Sequence, residues 1–322
     1  MQSRIFPVNP SYTLTQPHSP SLRLSITMSS FSPKVSAVSI PYTQLKDKNA
    51  DLSAKIEQGF GPNGLGILSI SEVPGYSLWR RNLLHLGPRL ANLPEDVKRE
   101  LEDPNSRYNF GWSHGKEKLE SGKLDLLKGS FYANPILDVP TTEQSLIERY
   151  PSYCGSNIWP HMALPELETA FKTLGKLILD VGLLLAYHCD RYGLTCGMFT
   201  RDAVEIHSPD SDAGLYIKTR TGQIVKVEYG VDEIAYQIGE TTEILSSGRL
   251  CATPHCVRAP RGDAASGVDR TTFALFMQPD WDQKLYFPGE VHIHRELIQS
   301  NELLTFGEYT EKLLDKYYHL KM

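Results

Sequence analysis

The stretch that most constrains the fold runs from Ala213 to Pro279, where apolar and polar residues alternate with a period of two. Leu215, Ile217 and Thr219 alternate with Tyr216, Lys218 and Arg220, the pattern of a half-buried strand. Thr221-Gly222 then supplies a tight turn and Ile224–Val227 alternate back, which predicts a β-hairpin. Two more strands are expected around Leu250–Val257 and Arg270–Met277. The first carries His255. The second carries Arg270 and Thr272, which a period of two puts on one strand face. A guanidinium fork beside a hydroxyl is suited to holding a carboxylate. A histidine on a nearby strand is suited to a divalent metal.

Ahead of this core the sequence reads as mainly helical. Tyr42–Phe60 is expected to form a helix and Ile67–Ile70 a strand. Between them, Gly59 to Gly64 match GxGxxG, but with a helix before and a strand after. A dinucleotide fingerprint needs the opposite order, so this is a glycine-rich turn. Helical patterns return at Leu78–Leu93 and at Pro94–Leu101, the latter opened by Pro94, Glu95 and Asp96. Arg107–Pro135 is aromatic and glycine-rich without a clean period. The strongest helix is Pro165–Tyr192, where Leu167, Phe171, Leu174, Ile178, Val181, Leu185 and His188 form one stripe. Phe306–Leu320 is a C-terminal helix, with Tyr309, Leu313, Tyr317 and Leu320 at helical spacing.

A chain of 322 residues with 40% apolar residues can bury a sizeable core, as one large domain or two small ones. Charged residues make up 22% and nearly balance, with a net charge of −5, so nothing points to a nucleic acid or an anionic membrane as partner. Five cysteines, an odd number without CxxC spacing, favour a reduced intracellular compartment, here the cytoplasm. The longest apolar run, Leu177–Tyr187, contains Asp180 and is too short to span a bilayer. Residues 1–40 are rich in Ser and Pro, and no acidic residue precedes Asp47. That composition reads as disordered. It is also how a plastid or mitochondrial transit peptide reads, the alternative being a leader-like extension ahead of a start at Met28.

The order of these parts resembles the plant-type iron(II)- and 2-oxoglutarate-dependent dioxygenases, the isopenicillin N synthase-like group. Thr253-Pro254-His255 matches the motif of the family's distal iron-binding histidine. Arg270-Thr271-Thr272 matches its Arg-x-Ser pair, with threonine substituted. Pro41–Pro140 is similar to the family's N-terminal region, including GLGIL, GWSHGKE and KGSFYANP. The resemblance implies an α+β chain built on a double-stranded β-helix, or jelly-roll, core. It implies Fe(II) on His255, 2-oxoglutarate on Arg270 and Thr272, and hydroxylation or desaturation of a small organic metabolite. It divides the chain into an extension (1–40), a mainly helical region (41–192), the jelly-roll core (193–290) and a C-terminal helical segment (291–322), in a monomer.

One departure is clear. The family's His-x-Asp strand should precede Leu194-Thr195, and the sequence there reads like the end of a strand that never began. The core is therefore expected to be incomplete, with a segment missing at Tyr192/Gly193 and sheet edges left exposed. His188-Cys189-Asp190 spells His-x-Asp, but on a helix positions i and i+2 point about 200° apart and cannot chelate one ion. Asp202, Glu205 and His207 read as a solvated acidic loop, His292 and His294 as a solvated pair, and Arg261-Gly262-Asp263 as a hairpin loop. Two functions from different classes follow: an oxygenase impaired by the loss of two of its three iron ligands, or a non-catalytic dioxygenase-like binding protein.

Overall fold

The computed structural model describes residues 2–8, 32–117, 123–189, 192–200, 208–265, 267–286 and 303–318. In chain order the strands are β1 (Gln2–Val8), β2 (Lys34–Ser36), β3 (Val38–Pro41), β4 (Ile67–Ser71), β5 (Gly111–His114), β6 (Gly129–Ala133), β7 (Tyr192–Thr200), β8 (Gly214–Lys218), β9 (Ile224–Glu228), β10 (Ile234–Gln237), β11 (His255–Arg258), β12 (Val268–Phe276), β13 (Lys284–Leu285) and β14 (Leu304–Thr305). The helices are α1 (Tyr42–Lys46), α2 (Ser53–Phe60), α3 (Tyr76–Leu84), α4 (Leu86–Ala91), α5 (Glu95–Glu100), α6 (Gln144–Arg149), α7 (Pro151–Cys154), α8 (Glu166–His188), α9 (Glu240–Leu245) and α10 (Phe306–Tyr318). The strands form an eight-stranded sheet, β3-β4-β10-β7-β12-β1-β6-β5, a four-stranded sheet, β11-β8-β9-β2, and the small pair β13-β14.

The alternation after Ala213 gives the hairpin it implies. β8 and β9 pair antiparallel, with Leu215 opposite Val227 and Ile217 opposite Val225. The turn closes on Gly222, whose N–H donates to the Thr219 carbonyl at 2.9 Å and whose φ of +85° favours glycine. Ile217, Val225 and Val227 then pack against Ile67 of β4 and Ala235 of β10, which joins the two sheets face to face.

The outer face of the large sheet is covered by helices. Along α8 the stripe Leu167, Phe171, Leu174, Ile178, Val181 and Leu185 is fully buried. Phe171 meets Phe273 of β12 edge to face at 5.1 Å, and the Tyr236 hydroxyl of β10 donates to the Ile178 carbonyl at 2.7 Å. Among the described residues no helix is long and apolar enough to cross a membrane.

Several elements differ from the sequence reading, each for a local reason. Tyr42–Phe60 is two helices, because the Asp47 and Asp51 carboxylates accept the N–H groups of Asn49 (2.9 Å) and Ser53 (3.0 Å) in turns that compete with helix. Leu78–Leu93 divides at His85, just ahead of Pro88, which has no N–H for the helical ladder. The strand around Leu250 is only His255–Arg258. Upstream of it, the N–H groups of Cys251 and Ala252 are taken by the Phe60 carbonyl and by the Glu243 side chain instead of a neighbouring strand.

β7 is a full nine-residue strand, paired from Gly193 to Thr200 with β12 and at its start with β10, so a strand does begin at Tyr192. Gln2–Val8 is not a free extension, since its backbone lies between β12 and β6. The region before residue 193 also supplies β3–β6 to the large sheet. The His292/His294 pair, Asp190, Asp202, Glu205 and His207 lie outside the described residues.

The loop leaving β6 is tied to α8 by one carboxylate. Asp138 accepts from Asn157 Nδ2 (2.9 Å), Trp159 Nε1 (2.8 Å) and Lys172 Nζ (2.5 Å). Desolvation pushes its pKa up, but the bonds from Lys172, Trp159 and Asn157 outweigh that and hold it down at about 2. A carboxylate depressed below its unfolded value of about 3.9 stabilises the fold above that value, and the contribution is lost as pH falls through about 2. Asp138→Asn should therefore unfold more readily than the parent at pH 7. In urea melts the gap should close as pH drops from about 4 towards 2. A gap of constant size across that range would show that the ionised form is not what matters.

Candidate functional site between the two sheets

The parity of β12 decides where its polar residues point. Phe273 lies on Phe171 of α8, and Thr271 lies against Gly87 of α4, so odd-numbered positions face the helices. Arg270, Thr272 and Ala274 must then face the second sheet. The register agrees: Ala274 is opposite Leu194, and Leu194 is opposite Ala235, a member of the cluster between the sheets. Arg270 and Thr272 are 9% and 7% exposed.

His255 lies on the other sheet. It lies opposite Ile217, whose fully buried side chain belongs to the inter-sheet cluster. With β4 and β10 over β9 and β8, the strand order of the two sheets puts β7 over β11 and β12 one strand further out. Strand parity thus turns Arg270 and Thr272 of β12 towards the second sheet, and puts His255 on the face of β11 that Ile217 shares.

The two sides differ in enclosure. Among the described residues β11 is the outer strand of its sheet and His255 is exposed there, although protein walls in part of its ring. That walling lowers the imidazole pKa below the ordinary histidine value. The Thr253 carbonyl and the Glu240 charge pull it the other way without winning. Nδ1 lies 3.1 Å from the Thr253 carbonyl oxygen, which can only accept, so Nδ1 carries the proton and Nε2 keeps a lone pair.

Arg270 has a different environment. Arg220 and Arg258 are paired with Glu243 and Asp212, but among the described residues no carboxylate pairs with Arg270. The Thr272 hydroxyl beside it is buried and has no hydrogen-bond partner among the described residues. Gln237 of β10, 3% exposed and on the same sheet face by parity with Ala235, leaves both its amide O and N unpartnered there. Such groups are rare in folded proteins and cost about 1–3 kcal/mol each when nothing bonds to them. Gln237 was missed on the sequence, where its one sign is a polar residue at an inward position of the IAYQ strand.

The other sequence candidates are not brought to this space. His188 ends α8, and its Nε2 lies 3.3 Å from the Leu45 carbonyl, on the helix side of the sheet. Cys189 is already extended, so the helix ends at the histidine of that triplet. Among the described residues no group of three His, Cys, Asp or Glu side chains could hold a metal ion. His255 is the one motif imidazole among the described residues, and a single imidazole does not fit iron(II), a weakly held divalent ion.

No protein-family model and no curated protein matches this sequence. Solved structures do match its fold. A structure described as a 2OG-Fe(II) oxygenase family protein from Caulobacter crescentus is 14% identical, with a TM-score of 0.59 over 87% of this chain and 98% of that one. A full-length Neurospora crassa protein in complex with alpha-KG is 15% identical, with a TM-score of 0.55 over 87% of this chain and 96% of that one. JOX2 in complex with 2OG, Fe and JA is 14% identical, with a TM-score of 0.51 over 90% of each chain. The structural neighbours are thus oxygenases of the 2OG-Fe(II) type, and at this identity the likeness is one of fold.

The unpartnered hydroxyl makes a stability prediction. Thr272→Val removes an oxygen with no hydrogen-bond partner among the described residues, so it should leave the unfolding free energy unchanged or raise it by up to about 1 kcal/mol. Tyr236→Phe, which removes the bond to Ile178, should lower it by about 1 kcal/mol. Paired denaturant melts would check both, and a clear loss of stability in Thr272→Val would mean the hydroxyl has a partner after all.

Proposed function

We propose that this chain is a double-stranded β-helix protein of the Fe(II)/2-oxoglutarate oxygenase type that binds a dicarboxylate through Arg270 and Thr272. In this reading Arg270 takes the far carboxylate of 2-oxoglutarate as a charge-assisted pair, Thr272 donates its hydroxyl to the same group, and His255 is the motif ligand for iron. The observation that carries it is the buried Arg270, without a carboxylate partner among the described residues, next to a buried hydroxyl with no acceptor. The fold neighbours crystallised with alpha-KG and with 2OG and Fe support it. Iron would supply the oxidising chemistry of a hydroxylation or desaturation of a small organic metabolite.

The metal half of the site lends no such support, because the described residues offer one imidazole. We therefore read the chain as impaired in turnover. A second reading, a non-catalytic dicarboxylate-binding member of the same fold, is favoured by that same donor set. Both readings make the carboxylate grip the main source of affinity, and they part over iron.

The test is calorimetric titration under anaerobic conditions, with and without iron(II). If the metal contributes nothing, glutarate, which lacks the 2-oxo group, should bind within about threefold of 2-oxoglutarate. Arg270→Met should weaken both by about 10- to 100-fold, the worth of hydrogen bonds to a charged group. Undiminished binding by Arg270→Met would overturn the carboxylate assignment. Stoichiometric iron lost in His255→Ala, with succinate release from 2-oxoglutarate, would overturn the impaired reading. Asp202, Glu205 and His207 would then be the ligands to test first.

A further inference from the structure

We propose that Glu243 is a positioning residue for His255: together with Arg220 it clamps the turn at Ala252-Thr253, so that the Thr253 carbonyl holds the imidazole by Nδ1 and leaves Nε2 free to accept. This deepens the reading above, since it takes His255 as a residue of that site.

Glu243 lies on α9, where sequence alone reads an ordinary surface acid, yet it is 6% exposed. Both carboxylate oxygens are used. Oε1 accepts from Arg220 Nη2 at 3.0 Å, and Oε2 accepts the Ala252 N–H at 2.6 Å. Arg220, in the turn of the β8–β9 hairpin, also reaches the Ala252 carbonyl at 3.4 Å. One carboxylate therefore joins a helix, a hairpin turn and the segment leading into β11.

The next residue is anchored as well. The Thr253 hydroxyl donates to the Leu65 carbonyl at 2.7 Å. Gly66 beside it has a φ of +69°, and a Cβ there would come 2.7 Å from that hydroxyl oxygen, so glycine is what lets the turn sit so close. With Ala252 and Thr253 both fixed, the Thr253 carbonyl has a set direction, and it is the acceptor for His255 Nδ1 at 3.1 Å. A second bond, from the Lys218 N–H to the Pro254 carbonyl at 2.9 Å, joins the turn to β8. The path from Glu243 to the imidazole runs through backbone alone and ends on the tautomer that leaves Nε2 free to accept.

A carboxylate is required at this position because it faces two donors. A glutamine offers one acceptor oxygen, so either the Ala252 N–H or Arg220 would be left facing an NH2 group. An ion pair that merely stabilised the fold would leave the imidazole tautomer unchanged when weakened.

The experiment uses the full chain labelled with 15N in the histidine rings, read by long-range 1H–15N correlation, with His255→Gln identifying the signals. The parent should show His255 with its proton on Nδ1. In Glu243→Gln the Nε2–H form should gain about tenfold, the ratio expected when one hydrogen bond is lost. Arg220→Gln, a change at a half-exposed residue, should move the ratio in the same direction by less. Should Glu243→Gln not fold, Arg220→Gln carries the test alone. A parent protonated on Nε2, or an unchanged tautomer ratio in folded Arg220→Gln and in any folded Glu243→Gln, would overturn the proposal. No dicarboxylate or metal is added to these samples, so failure of the carboxylate assignment at Arg270 would leave the result intact, and the reverse also holds.

Discussion

Everything in the candidate site depends on which way β12 faces. Phe273 against Phe171 and Thr271 against Gly87 lock its odd positions to the helical layer. The even positions have no choice after that. A slip of one residue would bury Phe273 between the sheets and turn Arg270 towards the helices, exchanging every side chain on the strand. The aromatic contact is therefore what aims the guanidinium, although it lies on the opposite face of the sheet. α8 matters to the site for the same reason: its buried stripe fixes the reference plane from which the inter-sheet face is defined.

How much of this the sequence disclosed follows from what each feature rests on. The hairpin at Leu215–Val227 and the shared face of Arg270 and Thr272 rest on a two-residue period, and a period is written in the sequence. α8 was legible because seven positions kept helical spacing. β7 was not, because its pairing comes from β10 and β12 on either side, and a strand held by both neighbours needs no pattern of its own. β1 was hidden by a composition that suggests no core. The divisions at Asp47 and His85 turn on side-chain turns and on Pro88, which compete locally with a helix that the apolar pattern alone would continue. Glu243 was invisible for a different reason: an acid in a short helix looks the same whether it is solvated or clamped, and only its two bonding partners tell the cases apart.

The molecule treats two of its buried charges, Glu243 and Arg270, in opposite ways. Glu243 is surrounded by donors, so its charge is compensated where it stands. Arg270 is nearly as enclosed but has no carboxylate partner among the described residues, and the hydroxyl beside it is also without one. Desolvating a cation without a partner is expensive, and natural sequences carry such a defect mainly where a ligand repairs it. An aliphatic residue at 270 would cost the fold less. Under the proposed carboxylate binding, the cation at 270 trades fold stability for affinity, and the polarity of Gln237 on the same face fits that proposal.

Strand pairing explains why a clamp is needed at His255 but not at Arg270. β12 has neighbours on both sides, and its backbone is fixed by two ladders. β11 has only β8. Because the Lys218 N–H bonds to the Pro254 carbonyl, residues 218 and 254 are a hydrogen-bonded pair, and the alternation of an antiparallel ladder makes 256 and 258 the next such positions on β11. The N–H and C=O groups of His255 and Val257 therefore point to the open edge, and the side chain of Val257 is 40% exposed there. A residue in that position has no ladder bond of its own to hold it. Its orientation must come from the chain that leads into it, where Glu243, Arg220 and Leu65 all converge on Ala252 and Thr253. The clamp takes the place of the missing neighbour: what a second strand would ordinarily do for His255, a buried carboxylate and two backbone anchors do instead.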